Sequence, residues 1–123
     1  MPVRLHAFPR TRRLGGKVAF ARVFDARVRE HRGPLTVYAA PNALPHPRIG
    51  ISISRKVGIA PKRNRIKRLL REAFRLSQSD LPAGYDLVVV VRPHETLALA
   101  DYQKLLIAMA TRLHASWQKR ESR

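Results

Sequence analysis

Ser54-Arg55-Lys56-Val57-Gly58-Ile59-Ala60-Pro61-Lys62-Arg63-Asn64-Arg65-Ile66-Lys67-Arg68-Leu69-Leu70-Arg71-Glu72-Ala73-Phe74-Arg75 is the stretch around which the chain is organised. From Pro61 onward, Ile66, Leu69, Leu70, Ala73 and Phe74 recur at i, i+3, i+4, i+7 and i+8, the single apolar stripe of an amphipathic helix. Asn64, Arg65, Lys67, Arg68, Arg71 and Arg75 cover the opposite face, where only Glu72 offsets the positive charge. Pro61 suits the first turn, because its missing N–H would have no intrahelical partner there.

Lys62 and Arg63 are unusual at a helix start. The N-terminal end of a helix carries partial positive charge, which carboxylates stabilise and cations do not. Free N–H groups, the dipole and two cations together describe a site for phosphate. A solvated helix with a basic outer face is the ordinary reading of such a pattern. Here, however, Arg65 and Arg68, Lys67 and Arg71, Arg68 and Arg71, and Arg71 and Arg75 lie i, i+3 or i+4 apart and repel one another. That arrangement favours a polyanionic partner, and nucleic acid is the stronger reading.

Arg63-Asn64-Arg65 followed by Ile66-Lys67-Arg68-Leu69-Leu70-Arg71-Glu72, and preceded by Ile51-Ser52-Ile53-Ser54-Arg55-Lys56-Val57-Gly58, resembles the bacterial ribonuclease P protein component. The family's RNR motif and the Lys-Lys-Val-Gly-like stretch before it both find counterparts, and weaker agreement extends from Leu14 to the last helix. Two positions depart from the family pattern. Arg55 replaces a more usual lysine and keeps the charge; Pro61 replaces a small apolar residue and leaves the helix start open.

Composition points the same way. The 123 residues suit one domain, and 25 lysines and arginines against 8 acidic residues give a net charge of +17. Such a balance calls for nucleic acid or an anionic membrane surface. No apolar run approaches the roughly 20 residues needed to span a bilayer, and Met1 to Gly16 holds no apolar stretch suited to a signal peptide. Without cysteine there is no disulfide, thiolate metal site or cysteine nucleophile, and a reducing, cytoplasmic setting fits.

Residues 1–16 read as a basic arm, with Arg4, Arg10, Arg12 and Arg13, that stays mobile until a partner orders it. Lys17 to Val28 reads as a first helix with Phe20, Val23 and Phe24 on one stripe. Leu35 to Ala40 is a strand with Tyr38 on the face opposite Leu35 and Val37. Three prolines mark Pro41 to Pro47 as a hairpin connection too rigid for secondary structure. Arg48 to Ser54 is a strand with Ile49, Ile51 and Ile53 inward and Gly50, Ser52 and Ser54 on the other face. Ser79 to Gly84 is a loop, and Leu87 to Val91 is an apolar run suited to a strand covered on both faces. The last helix, with Asp101 as N-cap, carries Tyr102, Leu105, Leu106, Met109, Leu113 and Trp117 as a core stripe. Residues 118–123 form a polar tail. The class is α+β, in the order α, β, β, α, β, α, with two helices covering one face of a small mixed sheet. The resemblance adds a short strand near Lys56, making about four, and a left-handed βαβ crossover through the basic helix.

The eight carboxylates, Asp25, Glu30, Glu72, Asp80, Asp86, Glu95, Asp101 and Glu121, are scattered. None pairs at helical spacing, as a metal-dependent nuclease would need. The histidines show no metal-ligand spacing and no acid–base pair, and Gly15-Gly16 and Val57-Gly58 are not a phosphate loop. Residue chemistry alone therefore describes a nucleic-acid-binding chain without cleavage machinery of its own.

The resemblance implies the rest. In ribonuclease P the RNA subunit, which requires magnesium, removes the 5′ leader of precursor tRNA. The protein assists that endonucleolytic cut by binding the RNA and raising its affinity for metal ions; it carries no catalytic residue or metal site. Arg63, Asn64, Arg65, Lys67, Arg68 and Arg71 carry over as RNA-binding, and Arg55 and Lys56 more loosely near the same surface; Lys62 at the helix start and Arg75 on the basic face join them as RNA-binding by charge. Phe20, Phe24 and Tyr38 match positions that line a cleft for the leader. Core packing would account for both phenylalanines, and a half-buried strand position for Tyr38, so the two roles stand side by side. Two other functions fit the charge. One is a structural RNA-coating protein; the other is a DNA-binding module reading the major groove through arginines and Asn64.

Overall fold

The computed structural model describes residues 12–121. Three helices, α1 (Lys17–Asp25), α2 (Ala60–Leu76) and α3 (Leu99–Glu121), accompany four strands, β1 (Arg29–Arg32), β2 (Leu35–Pro41), β3 (Arg48–Ile53) and β4 (Tyr85–Val91). The strands form one mixed sheet in the order β1-β2-β4-β3. β1 and β2 are antiparallel, as are β2 and β4, while β3 runs parallel to β4 and reaches it through α2. The expected hairpin at Pro41 to Pro47 is absent, because β4 lies between β2 and β3 and the segment crosses from one side of it to the other.

Alternation along the strands builds a core on each face. Leu35, Val37 and Ala39 of β2, Leu87, Val89 and Val91 of β4, and Ile49 of β3 meet Ile66, Leu70, Ala73 and Phe74 of α2 and Tyr102, Leu106, Met109 and Leu113 of α3. Each fully buried Val, Leu, Ile, Phe or Met among them contributes about 1.5–3 kcal/mol relative to leaving it exposed. On the other face Ala40 and Val88 join Leu14 and Val23 beneath α1. β4 is thus covered on both faces, which explains its unbroken apolar run. Trp117 ties α3 to the sheet, its Nε1–H donating to the carbonyl of Ala39 at 3.0 Å.

Several boundaries differ from the sequence reading. The first helix stops at Asp25 because Arg27 takes φ 58° and turns the chain into β1. β1 is the fourth strand. Its sequence, Arg-Glu-His-Arg, has no apolar alternation because it is an edge strand with one neighbour and a largely exposed surface. The segment near Lys56, expected as a short strand, is instead a 3-10 turn over Arg55–Val57. The last helix starts at Leu99, so Asp101 is not its cap but an acid in the first turn, where the dipole favours it. The same helix continues through Gln118 to Glu121, and this part of the expected tail is regular structure.

The basic arm is also shorter than expected. Leu14 is buried and its N–H donates to the Ile49 carbonyl at 2.8 Å, while Arg13 forms an isolated parallel bridge with Ile49. Residues 12–14 are therefore docked on β3. Met1 to Thr11, with Arg4 and Arg10, lie outside the described residues.

Candidate RNA-binding surfaces

α2 begins at Ala60, with Pro61 in its first turn. Ile59 is the N-cap and offers no side-chain cap, and no acidic residue stands in the first turn. The approach to it is shaped by Gly58, whose φ of 155° suits glycine and where a Cβ would lie 2.7 Å from Lys62 Cδ. Arg55 and Lys56 are exposed on the 3-10 turn before the helix.

With Ile66, Leu70, Ala73 and Phe74 buried, the outward side of α2 carries the cations. Asn64, Arg65 and Arg68 are exposed, and Lys62, Arg63, Lys67, Arg71 and Arg75 are half-buried. The Nε of Arg63 is buried without a hydrogen-bond partner among the described residues. Arg65, Arg68, Arg71 and Arg75 flank a groove of about 580 Å³ whose other wall includes Arg13. Arg55, Lys56, Lys62, Arg63, Asn64 and Lys67 are not part of its lining. Glu72 is the acid in the groove. It accepts two hydrogen bonds from Arg75, one of them 3.1 Å from Nε, and these hold its carboxyl below the usual range.

The second surface lies across the sheet. Phe20 and Phe24, both half-buried, line a mainly apolar hollow of about 480 Å³ with Lys17 and Ala21. Their ring centroids are 6.4 Å apart, and Phe24 meets Tyr38 edge to face at 4.8 Å. Tyr38 extends this aromatic row onto β2 without lining the hollow itself, and Arg29 sits 6.0 Å from its ring centre. Gly50 makes the arrangement possible, since a Cβ there would fall 2.6 Å from the Phe20 ring. All three rings are half-buried, packed against one another and over Gly50 without being fully enclosed.

Sequence reasoning missed the knot that fastens α1 beside this hollow. Asp86 is fully buried. Its carboxylate accepts two hydrogen bonds from Arg48, both at 2.7 Å, one from Asn42 Nδ2 at 2.9 Å, and one from Arg22 of α1. Burial opposes its ionisation, but the bonds from Arg48 and Asn42 and the charges of Arg48 and Arg22 outweigh it, leaving the carboxyl below its ordinary value. The available signal was a lone acid at the head of the apolar run Leu87 to Val91. Arg13 was missed as a groove residue because nothing in the arm's periodicity shows where it docks.

Among the described residues, no cluster of three or more histidines, aspartates or glutamates could hold a metal ion, and no helix is long and apolar enough to cross a membrane. A family model described as Ribonuclease P matches residues 8–114. The ribonuclease P protein component of Methylococcus capsulatus is 46% identical over 97 residues, which covers 78% of this chain and 75% of that relative. That of Photobacterium profundum is 39% identical over 108 residues, covering 87% and 92% respectively. Among solved structures, the Staphylococcus aureus ribonuclease P protein matches with a TM-score of 0.70 at 30% identity, over 80% of this chain and 91% of that one. The Thermotoga maritima protein matches with a TM-score of 0.69 at 28% identity, over 76% and 89%.

Fold and surface together define a small α+β RNA-binding protein built on one mixed sheet. The chain belongs to the ribonuclease P protein family, the protein component of the endoribonuclease that processes the 5′ end of tRNA.

Proposed function

We propose that this chain holds the catalytic RNA of ribonuclease P on the outward face of α2 and the 5′ leader of precursor tRNA along Phe20, Phe24 and Tyr38. The observation that carries the reading is the placement of these surfaces. The cationic helix packs on one face of the sheet and the aromatic row sits on the other. Two RNAs of different character can then be held at once: a folded one by its backbone, a single-stranded one by its bases. Cleavage belongs to the RNA subunit with its magnesium, in the cytoplasm. The protein's part is to hold both strands and, by drawing phosphates together, to raise the RNA's affinity for the ions.

Reconstitution tests this directly. Mixed with ribonuclease P RNA at low magnesium, the protein should stimulate removal of long leaders from precursor tRNA more than short ones. Stimulation independent of leader length would sink the leader assignment. No stimulation at all would favour an RNA-coating protein. The DNA-binding alternative is weaker, since a major-groove reader would rely on arginines with Asn64 as the only amide on the basic face.

A further inference from the structure

Residues 12–14 form a fixed wall opposite α2. Leu14 anchors it below, buried with Val23, Ala40 and Val88, and by its N–H to the Ile49 carbonyl at 2.8 Å. Arg12 anchors it at the side, donating to Oε1 of Gln78, whose Nε2 in turn donates to the Arg75 carbonyl at 3.2 Å. Between these anchors, exposed Arg13 lines the same groove as Arg65, Arg68, Arg71 and Arg75. Five guanidiniums line one concave surface against a single acid, Glu72, which is already bonded to Arg75, so positive charge predominates there. Guanidiniums bind phosphate in fork geometry, and holding them in place beforehand lowers the cost of binding.

We infer that the groove between residues 12–14 and α2 grips one strand of RNA backbone from both sides, and that Arg13 is an RNA-contacting residue supplied from outside the basic helix. The inference rests on the reading that α2 meets the catalytic RNA and extends it to a second wall. The occupant is a phosphodiester strand, because five of the seven lining residues are arginines and Leu69 is the one apolar residue among them.

The test uses the full chain and ribonuclease P RNA, with binding measured across a range of potassium chloride. Arg13→Gln should lower affinity about threefold to tenfold at low salt and reduce the slope of log affinity against log salt by about one. Arg13→Lys should recover most of that loss. Lys104→Gln, an equal loss of charge at an exposed position of α3, should do far less. The chain has no cysteine, so Arg13→Cys and Arg68→Cys can each carry a single photo-crosslinker. Both should label the same short RNA segment. The inference is overturned if Arg13→Gln matches Lys104→Gln, or if position 13 labels no RNA or a segment remote from that labelled by position 68. If Arg68→Gln weakens binding in that case, the α2 reading survives alone. If Arg68→Gln also has no effect, both fall together.

Discussion

The α2 groove and the aromatic row solve opposite problems with the same sheet. In the groove, apolar residues serve only to fix the helix, and the proposed RNA contacts fall to its cations. Along Phe20, Phe24 and Tyr38, the rings that would meet a ligand also pack the fold, edge to face at 4.8 Å between Phe24 and Tyr38. Charge can be added to a helix surface at modest cost because water solvates it. An aromatic surface must be held partly open by its neighbours, here by Gly50 and by the knot at Asp86. The groove should therefore respond to salt and charge, and the row to shape and to the integrity of α1.

The largest expected effect is on salt. With six to ten phosphate contacts, affinity for ribonuclease P RNA should fall about 10³- to 10⁵-fold between roughly 50 and 200 mM salt. Tyr38→Ala should leave that slope unchanged. A flat salt dependence, measured by equilibrium binding, would remove the groove from the comparison.

Next comes the Asp86 knot. Breaking a buried ion pair costs roughly 3–5 kcal/mol. Asp86→Ala should fall at the low end, because Arg22 and Arg48 are partly exposed and regain water. The folded carboxyl is depressed, so its contribution is present above the unfolded value of about 3.9 and lost as pH falls through the folded one. The gap in thermal midpoint between the wild-type chain and Asp86→Ala should narrow in acid below pH ~4. At neutral pH the variant should lose leader binding more than RNA-subunit binding. Equal losses would mean that the knot supports the whole fold rather than the aromatic side.

Tyr38→Ala is the finer probe. It should cost about 1–3 kcal/mol in binding long-leader precursor tRNA to the holoenzyme, with assembly and leaderless tRNA unaffected. Weakening of both substrates alike would return Tyr38 to an ordinary strand position. Phe20→Ala is a poorer choice, because the ring also packs on Gly50 and its loss loosens α1.

The smallest effect is on the free protein. Sulfate should raise the thermal midpoint above chloride of equal ionic strength, by more than in a neutral control protein, because anion binding relieves repulsion in the groove. Arg68→Gln should shrink that excess. Equal midpoints in the two salts would mean that no anion site is preformed.

Local physics determines what is legible in the sequence by itself. The stripe from Ile66 to Phe74 specifies a helix, a buried face and a cationic face, because the period of 3.6 residues is written in adjacent side chains. Alternation in Leu35 to Ala40 and Arg48 to Ile53, and continuity in Leu87 to Val91, likewise announce strands and how many of their faces are covered. Only the tertiary structure decided the rest. β1 is a strand because Leu35 to Tyr38 offer it a pairing edge, and no periodicity in Arg29 to Arg32 requires it. Residues 55–57 turn rather than pair. Asp86 is a structural hub because Arg22 and Arg48, distant along the chain, converge on it. Arg13 becomes a groove residue through the docking of Leu14 on β3, a contact between segments more than thirty residues apart. Such long-range juxtapositions have no local period, so the sequence carries the residues without showing where they meet.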